Sequence, residues 1–247
     1  MAEPTGRRLR PTVSSATGWD RHDRGASPRS ITSLPELVER ARALAAGDRR
    51  TLLGLTGPPG AGKSTLAQVL VEQVGESARH IGMDGFHLSQ SRLADLDRLN
   101  RKGAIDTFDA SGFVALVRRL REHSDETIHA PEFRREIEEP IADAVPIEPA
   151  VRLVVLEGNY LLVPAPPWGN LRTLFDEIWY CERDERERLA NLTERHRAYG
   201  KSPEEARHWA LGSDQRNADL VATTRQRADI IASLEGQLAT GQDDHRP

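Results

Sequence analysis

The sequence predicts a three-layer α/β domain built on a mainly parallel sheet, and three observations carry that reading. Short, nearly continuous apolar runs recur along the chain and alternate with helical patterns, as strands buried on both faces do. A glycine-rich loop, GPPGAGKST at 57–65, joins one such run to a helix-like stretch. Two further runs end in an acid beside a glycine, Asp84 in MDGFH and Glu157 in LEGNY. The carboxyl edge of an open parallel sheet is where ligands bind.

The elements follow in order. SLPELVERARALAAG (33–47) carries an apolar stripe at Leu34, Leu37, Val38, Ala41, Leu44 and Ala45. Ser33 and Glu36 have capping-box spacing there, and Gly47 is placed to end the helix. TLLGLTG (51–57) reads as a strand and STLAQVLVEQV (64–74) as the helix behind the loop. ARHIGMDGF (78–86), VRLVVLEG (151–158), DEIWYCER (176–183) and ADIIASL (228–234) bring the sheet to five strands. CERDERERLANLTERHRAYGKSPEEA (181–206) reads as a charged helix, a break at Gly200 and a second capping box at Ser202 and Glu205. The folded domain spans 31–238. Residues 1–30 hold six arginines against three acids and no apolar period, and read as a disordered Arg-rich tail. Residues 239–247 read as a flexible C-terminus.

Composition sets the outer limits. The chain has 247 residues, 38% of them apolar, enough for the core of one α/β domain. A net charge of −4 argues against a nucleic-acid partner, which calls for a concentrated basic face. The 34 basic residues include only three lysines, Lys63, Lys102 and Lys201, so a lysine inside the glycine-rich loop stands out. A single cysteine, Cys181, excludes an internal disulfide framework and lies in an apolar strand, where it reads as core. No run approaches the roughly 20 apolar residues of a membrane span. The start MAEPTGRRLR lacks the apolar segment of a signal peptide, so the expected location is cytoplasmic. A homodimer is left open.

The loop fits G-x-x-x-x-G-K-[ST] with Gly57, Gly62, Lys63 and Ser64 at the fixed positions. Pro58 and Pro59 have no N–H, so the phosphate-cradling amides must come from Gly60, Ala61, Gly62, Lys63, Ser64 and Thr65, where the helix dipole also favours an anion. Lys63 is placed to reach the β- and γ-phosphates of ATP, and the Ser64 hydroxyl to ligate Mg²⁺. The fold class is therefore a three-layer P-loop NTPase fold with a mainly parallel five-stranded sheet and a helical lid. Asp84 could accept the proton of an attacking hydroxyl; a turn aspartate ahead of Gly85 is the alternative. Glu157 would hold Mg²⁺ or polarise the nucleophile, with a surface turn as the alternative. Arg188 and Arg195, seven apart, share a helix face and would close over the transferring phosphate; a solvated charged face is the other reading. His196 reads as a surface residue and Trp209 as packing the last long helix on the sheet.

Several segments together resemble a known family. GPPGAGKST, MDGFH, RKGAIDTFD, APEF, VVLEGNYLL and TTRQRAD stand in an order similar to the phosphoribulokinase, uridine kinase and bacterial pantothenate kinase superfamily. The likeness is strongest to its nucleoside/nucleotide kinase branch, which includes proteins described as sugar kinases, and runs from about residue 50 to 234. It implies Asp84 as catalytic base, Glu157 as the second acid and Asp109 as the N-cap of a helix over the acceptor pocket. It also implies Phe133 as the aromatic that lines that pocket. The sequence departs from the pattern where Phe133 replaces tyrosine and His87 stands at a tyrosine position. His87, Asn159 and Tyr160 can bond hydroxyls, Phe133 can stack, and Arg101 and Arg134 would suit a carboxylate or phosphate. The implied function is transfer of the γ-phosphate of ATP to a hydroxyl of a nucleoside, sugar or pantothenate-like metabolite. A regulatory ATPase without such an acceptor is the alternative. A GTPase switch is excluded, because no asparagine is followed by lysine to read guanine.

Overall fold

The computed structural model describes residues 27–122 and 125–233. In chain order the elements are β1 (Arg29–Ile31), α1 (Leu34–Ala45), β2 (Thr51–Thr56), α2 (Lys63–Val74), β3 (Ala78–Gly82), α3 (Gln90–Asp95) and α4 (Ala110–Glu122). There follow β4 (Ile128–Arg134), β5 (Glu139–Ile147), β6 (Leu153–Glu157), β7 (Glu177–Glu182), α5 (Glu185–Ala198), α6 (Pro203–Leu211), α7 (Ser213–Ala222) and β8 (Ile230–Ser233).

Six parallel strands form the main sheet in the order β1-β8-β7-β2-β6-β3. Every residue of the central strand β2 is buried, which is why its sequence is a continuous apolar run rather than an alternating one. The pleat sends Leu53 and Leu55 to one face, where they meet Leu37, Val38 and Ala41 of α1 and Leu66 and Leu70 of α2. It sends Leu52 to the other face, into a cluster with Phe113 and Val117 of α4, Val154 and Leu156 of β6, and Tyr160 and Trp168. These two cores are the outer interfaces of the three layers.

The five expected strands are all present. The sixth, β1, lies outside β8 and pairs Arg29 with Ile230 and Ile31 with Ala232. It begins two residues before the expected boundary at 31. Only Ile31 faces the core, so three residues inside an Arg- and Ser-rich stretch gave no apolar pattern to read. Residues 1–26 and 234–247, which hold most of the expected tail and the C-terminus, lie outside the described residues. A second feature absent from the sequence reading is the antiparallel hairpin β4–β5, which carries the APEF segment. Its register shifts between Ala130 and Glu132, where Pro131 has no N–H to give the ladder.

Capping splits the two helix-start expectations. Ser202 and Glu205 form the capping box, with Ser202 N–H donating to Glu205 Oε2 at 2.9 Å and Glu205 N–H to Ser202 Oγ at 3.3 Å. The Ser33 side chain makes no capping bond. Glu36 instead pairs with Arg29 of β1, an ion pair that exists only because β1 joins the sheet. Asp109 caps α4, its Oδ1 accepting from Gly112 N–H at 2.8 Å.

Candidate active site

The phosphate loop needs its glycines for two reasons. Gly57, Gly60 and Gly62 take φ of 146°, 84° and 87°, a region L-residues avoid. A Cβ on Gly57 would also stand 2.4 Å from the Cys181 carbonyl oxygen, and one on Gly60 would stand 2.7 Å from that of Arg188. Backbone therefore packs on backbone beneath the loop. No side chain caps α2, whose N-cap is Gly62, so its first amides stay free for an anion. Lys63 is buried and donates to the carbonyls of Gly57 and Pro58, both at 3.0 Å. Burial lowers its pKa, opposed chiefly by the nearby charge of Glu157.

At the carboxyl edge of the sheet Gly82 pairs in register with Glu157, setting the turn that follows β3 beside the end of β6. Ser64 Oγ donates to Glu157 Oε1 at 3.1 Å. These hard oxygen donors fit Mg²⁺, which borrows its other ligands from phosphate and water. His80 Nε2 is buried without a hydrogen-bond partner, 3.9 Å from Glu157 Oε1, and a metal-bound water there would satisfy it. Among the described residues no group of three or more His, Cys, Asp or Glu could hold a metal by itself.

Asp84 lies in the 3-10 turn Met83–Phe86. The hairpin packs directly on this turn, since a Cβ on Gly85 would come within 2.5 Å of the Pro131 carbonyl oxygen. Asp84 Oδ2 accepts from Arg135 Nη2 at 3.2 Å. Burial pushes its pKa up, but His87, Arg135, Arg195 and Lys63 outweigh it and hold the carboxyl below its usual 3.8. His87 Nδ1 sits 2.8 Å from the Asp84 carbonyl oxygen, which can only accept, so Nδ1 carries the proton and Nε2 is the acceptor. Burial lowers the His87 pKa as well, so the ring is neutral near pH 7 and adds its charge to the cations around Asp84 only in acid.

Of the expected acceptor residues, His87 and Phe133 come together, their rings 4.8 Å apart. Three others do not join them. Arg134 is exposed and pairs with Glu132 at 2.8 Å; the pleat turns it away from the side taken by Phe133. Arg101 pairs with Asp106 at 2.9 Å. Tyr160 is fully buried against Phe108 and Trp168, and its hydroxyl is spent on the Gly103 carbonyl at 2.7 Å. Burial raises its pKa accordingly. Asn159 is half-buried at the end of β6, its carbonyl accepting from Thr56 Oγ1. The cations that do reach the site are neighbours in sequence, Arg135 beside Asp84 and Lys102, whose Nζ lies 4.9 Å from the Phe133 ring centroid. Arg135 is the first residue of the turn after β4, two beyond Phe133; no sequence signal separates Lys102 from Arg101.

On the lid, Arg188 and Arg195 have different surroundings. Arg188 is buried and donates to the Pro59 carbonyl, to Glu185 and to Gln215. Arg195 is half-buried, and its charge acts on Asp84 and Lys63. His196 is not a free surface residue but meets Asp214 of α7 at 2.7 Å. Trp209 packs within the lid beside His196 and Lys201 rather than on the sheet.

A phosphate loop, a serine–glutamate pair and a strand-end aspartate on one parallel sheet edge, with a helical lid, define a P-loop phosphotransferase. No protein-family model matches the chain. A Schizosaccharomyces pombe protein named "Putative uridine kinase" is 36% identical over 215 residues, 81% of this chain and 90% of that protein. An ATP-dependent kinase-like protein of Aspergillus versicolor is 38% identical over 152 residues, 58% of this chain and 88% of that one. The solved structure of a protein described as a "putative fructose transport system kinase", from a Silicibacter species, superposes with a TM-score of 0.73 at 33% identity. It covers 81% of this chain and 99% of that one. The chain belongs to the P-loop kinases of the uridine kinase and pantothenate kinase type, enzymes that phosphorylate a hydroxyl. No helix among the described residues is long and apolar enough to cross a membrane.

Proposed function

We propose that the chain transfers the γ-phosphate of ATP, bound with Mg²⁺, to a hydroxyl of a small metabolite such as a nucleoside, a sugar or a pantothenate-like compound. The observation that carries this reading is the in-register pairing of Gly82 with Glu157. The reading is supported by the electrostatic coupling of Asp84 to Lys63, which also feels Glu157, the partner of Ser64.

The amides of Gly60 and of 62–65 and the Lys63 ammonium bind the phosphates, the Ala61 N–H being donated to the Pro58 carbonyl at 3.2 Å, and Lys63 neutralises charge as it develops on them. Ser64 and Glu157 hold Mg²⁺, which when bound neutralises phosphate charge. Asp84, kept ionised by its cationic neighbours, takes the proton of the acceptor hydroxyl. The acceptor lies between the MDGFH turn, Phe133 of the hairpin and Asn159, with neutral His87 offering Nε2 to a hydroxyl. Arg195 approaches from the lid and helps exclude water.

The test is a screen of hydroxylated metabolites with γ-labelled ATP. Label moving to at least one acceptor, with acceptor-free hydrolysis slow by comparison, is expected. Brisk hydrolysis with no transfer to any hydroxyl compound would make the chain an ATPase.

A further inference from the structure

We propose that Arg135 and Lys102 form a subsite for an anionic group on the acceptor, a carboxylate or a phosphate, and that filling it draws Arg135 off Asp84 and frees the base. This rests on the kinase reading above and adds the charge class of its substrate.

Three cations surround the acceptor space. Lys102 Nζ and the Arg135 guanidinium lie 4.9 Å and 6.0 Å from the centroid of the same Phe133 ring, the aromatic of the acceptor hairpin. Arg195 faces the same region, and its guanidinium forms no hydrogen bond or ion pair among the described residues; Arg135 is one of the charges acting on it. Against these stand Glu138, 3.2 Å from Lys102 Nζ, and Asp84 itself. The side chain of Lys102 is only 13% exposed, so this charge is held in place rather than solvated. Asp214 and Glu157 also offset Arg195, so what favours an anionic acceptor is the position of Lys102 and Arg135 over one ring rather than a net excess of charge.

The Asp84–Arg135 pair gives the subsite a second effect. A base whose Oδ2 is covered by a guanidinium at 3.2 Å has less affinity for a proton and less access to a hydroxyl. A carboxylate or phosphate on the acceptor competes for the same planar fork. Arg135 also lies over the Tyr199 ring at 5.7 Å, at the end of the lid helix, so base, acceptor hairpin and lid share one side chain. Once Asp84 is released, the acceptor O–H proton passes to its carboxylate. The acceptor oxygen bonds to Pγ, and the bond from Pγ to the β,γ-bridging oxygen breaks, leaving ADP. Binding of the right charge thus prepares the base, and an empty site keeps it covered.

The test uses the full chain saturated with Mg²⁺ and a non-hydrolysable ATP analogue, titrated calorimetrically with malonate and, separately, with inorganic phosphate. The expected result is one saturable anion site, weakened at least about tenfold in both Arg135→Gln and Lys102→Gln; the tighter probe tells carboxylate from phosphate. No saturable site in the wild type, or equal affinity in wild type and variants, overturns the subsite. A variant that no longer folds is recognised by its loss of analogue binding, and the other variant then decides. A second arm reads acceptor-free ATP hydrolysis. Arg135→Gln is expected to raise it at least about threefold by uncovering Asp84, and a rate unchanged or lowered overturns the gating. Failure of the wild type to bind the analogue would instead strike the kinase reading.

Discussion

Arg188, on the first turn of the lid helix, donates its Nη1 to the carbonyl oxygen of Pro59 in the phosphate loop at 3.0 Å. The same guanidinium makes a two-pronged ion pair with Glu185 and reaches Gln215 of α7 at 2.6 Å. One buried side chain thus ties the start of the lid, the last helix and the loop that receives ATP.

Replacing it should disturb all three. Arg188→Ala leaves the Pro59 carbonyl and Gln215 Oε1 without their partner, at a cost of about 3 kcal/mol. That is a fall in Tm of about 6–12 °C for a domain of this size, and the KM for ATP should rise with it. Arg188→Lys should not restore the KM, since an ammonium cannot reproduce the fork. Differential scanning calorimetry and ATP kinetics check both, and an unchanged KM would mean the Pro59 contact does not organise the loop.

Lys63→Ala should lower kcat/KM by at least about 10²-fold, the scale for removing a charge aimed at a developing anion. Circular dichroism and Tm should stay close to wild type. Transfer within about threefold of wild type, under 1 kcal/mol, would contradict the role given to this loop.

Gly85→Ala tests the packing of the β4–β5 hairpin on the Met83–Phe86 turn, proposed above as acceptor wall and catalytic turn. Its Cβ would stand 2.5 Å from the Pro131 carbonyl oxygen, so the hairpin must move. An overpacking cost of about 1–3 kcal/mol predicts an acceptor KM raised at least about tenfold with ATP binding little changed. Equal losses for both substrates would show that the turn, not the hairpin, gives way.

The pH profile follows from two depressed pKa values. Asp84 titrates below 3.8 because its cationic neighbours outweigh burial, and His87 titrates below 6.5 because it is buried. The base is therefore ionised and the ring neutral near pH 7 and above, and kcat/KM should stay flat from about pH 8 down to about 7. In Arg135→Gln one of the cations holding Asp84 down is gone, so the acid limb should move to higher pH. A wild-type limb centred near 6.5 would assign an essential role to a normally titrating histidine.

Strand β1 supplies a stability test. Ile31 is buried against the core that holds Leu37 and Ile230. Ile31→Ala should cost about 2–4 kcal/mol and leave the KM for ATP unchanged, as read from denaturant unfolding and kinetics. A loss under about 0.5 kcal/mol would show that β1 adds little to the sheet.

Most of the frame was legible in the sequence because each buried strand writes a continuous apolar run, and the phosphate loop is fixed by glycines that backbone contacts demand. Asp84 and Glu157 could be placed because they end such runs, and Ser64 because the loop motif fixes its position. The acceptor side could not be read as fully. Tyr160 has a hydroxyl and follows the acid, yet the fold turns it into the aromatic core, and nothing local distinguishes those outcomes. Arg134 and Arg101 each stand one residue from the cation that reaches the site, because a single-residue step on an extended or turning backbone reverses direction. The β4–β5 hairpin was hidden by Pro131, and β1 by its length of three residues.

The central claim is that Asp84 acts as the base in phosphoryl transfer to a hydroxyl. The most direct measurement is single-turnover transfer by Asp84→Asn with the acceptor found in the screen, alongside calorimetric binding of ATP. A transfer rate at least about 10²-fold lower is expected, with ATP affinity within about twofold of wild type. Transfer at the wild-type rate, or a loss confined to ATP binding, would contradict it and pass the role of base to Glu157.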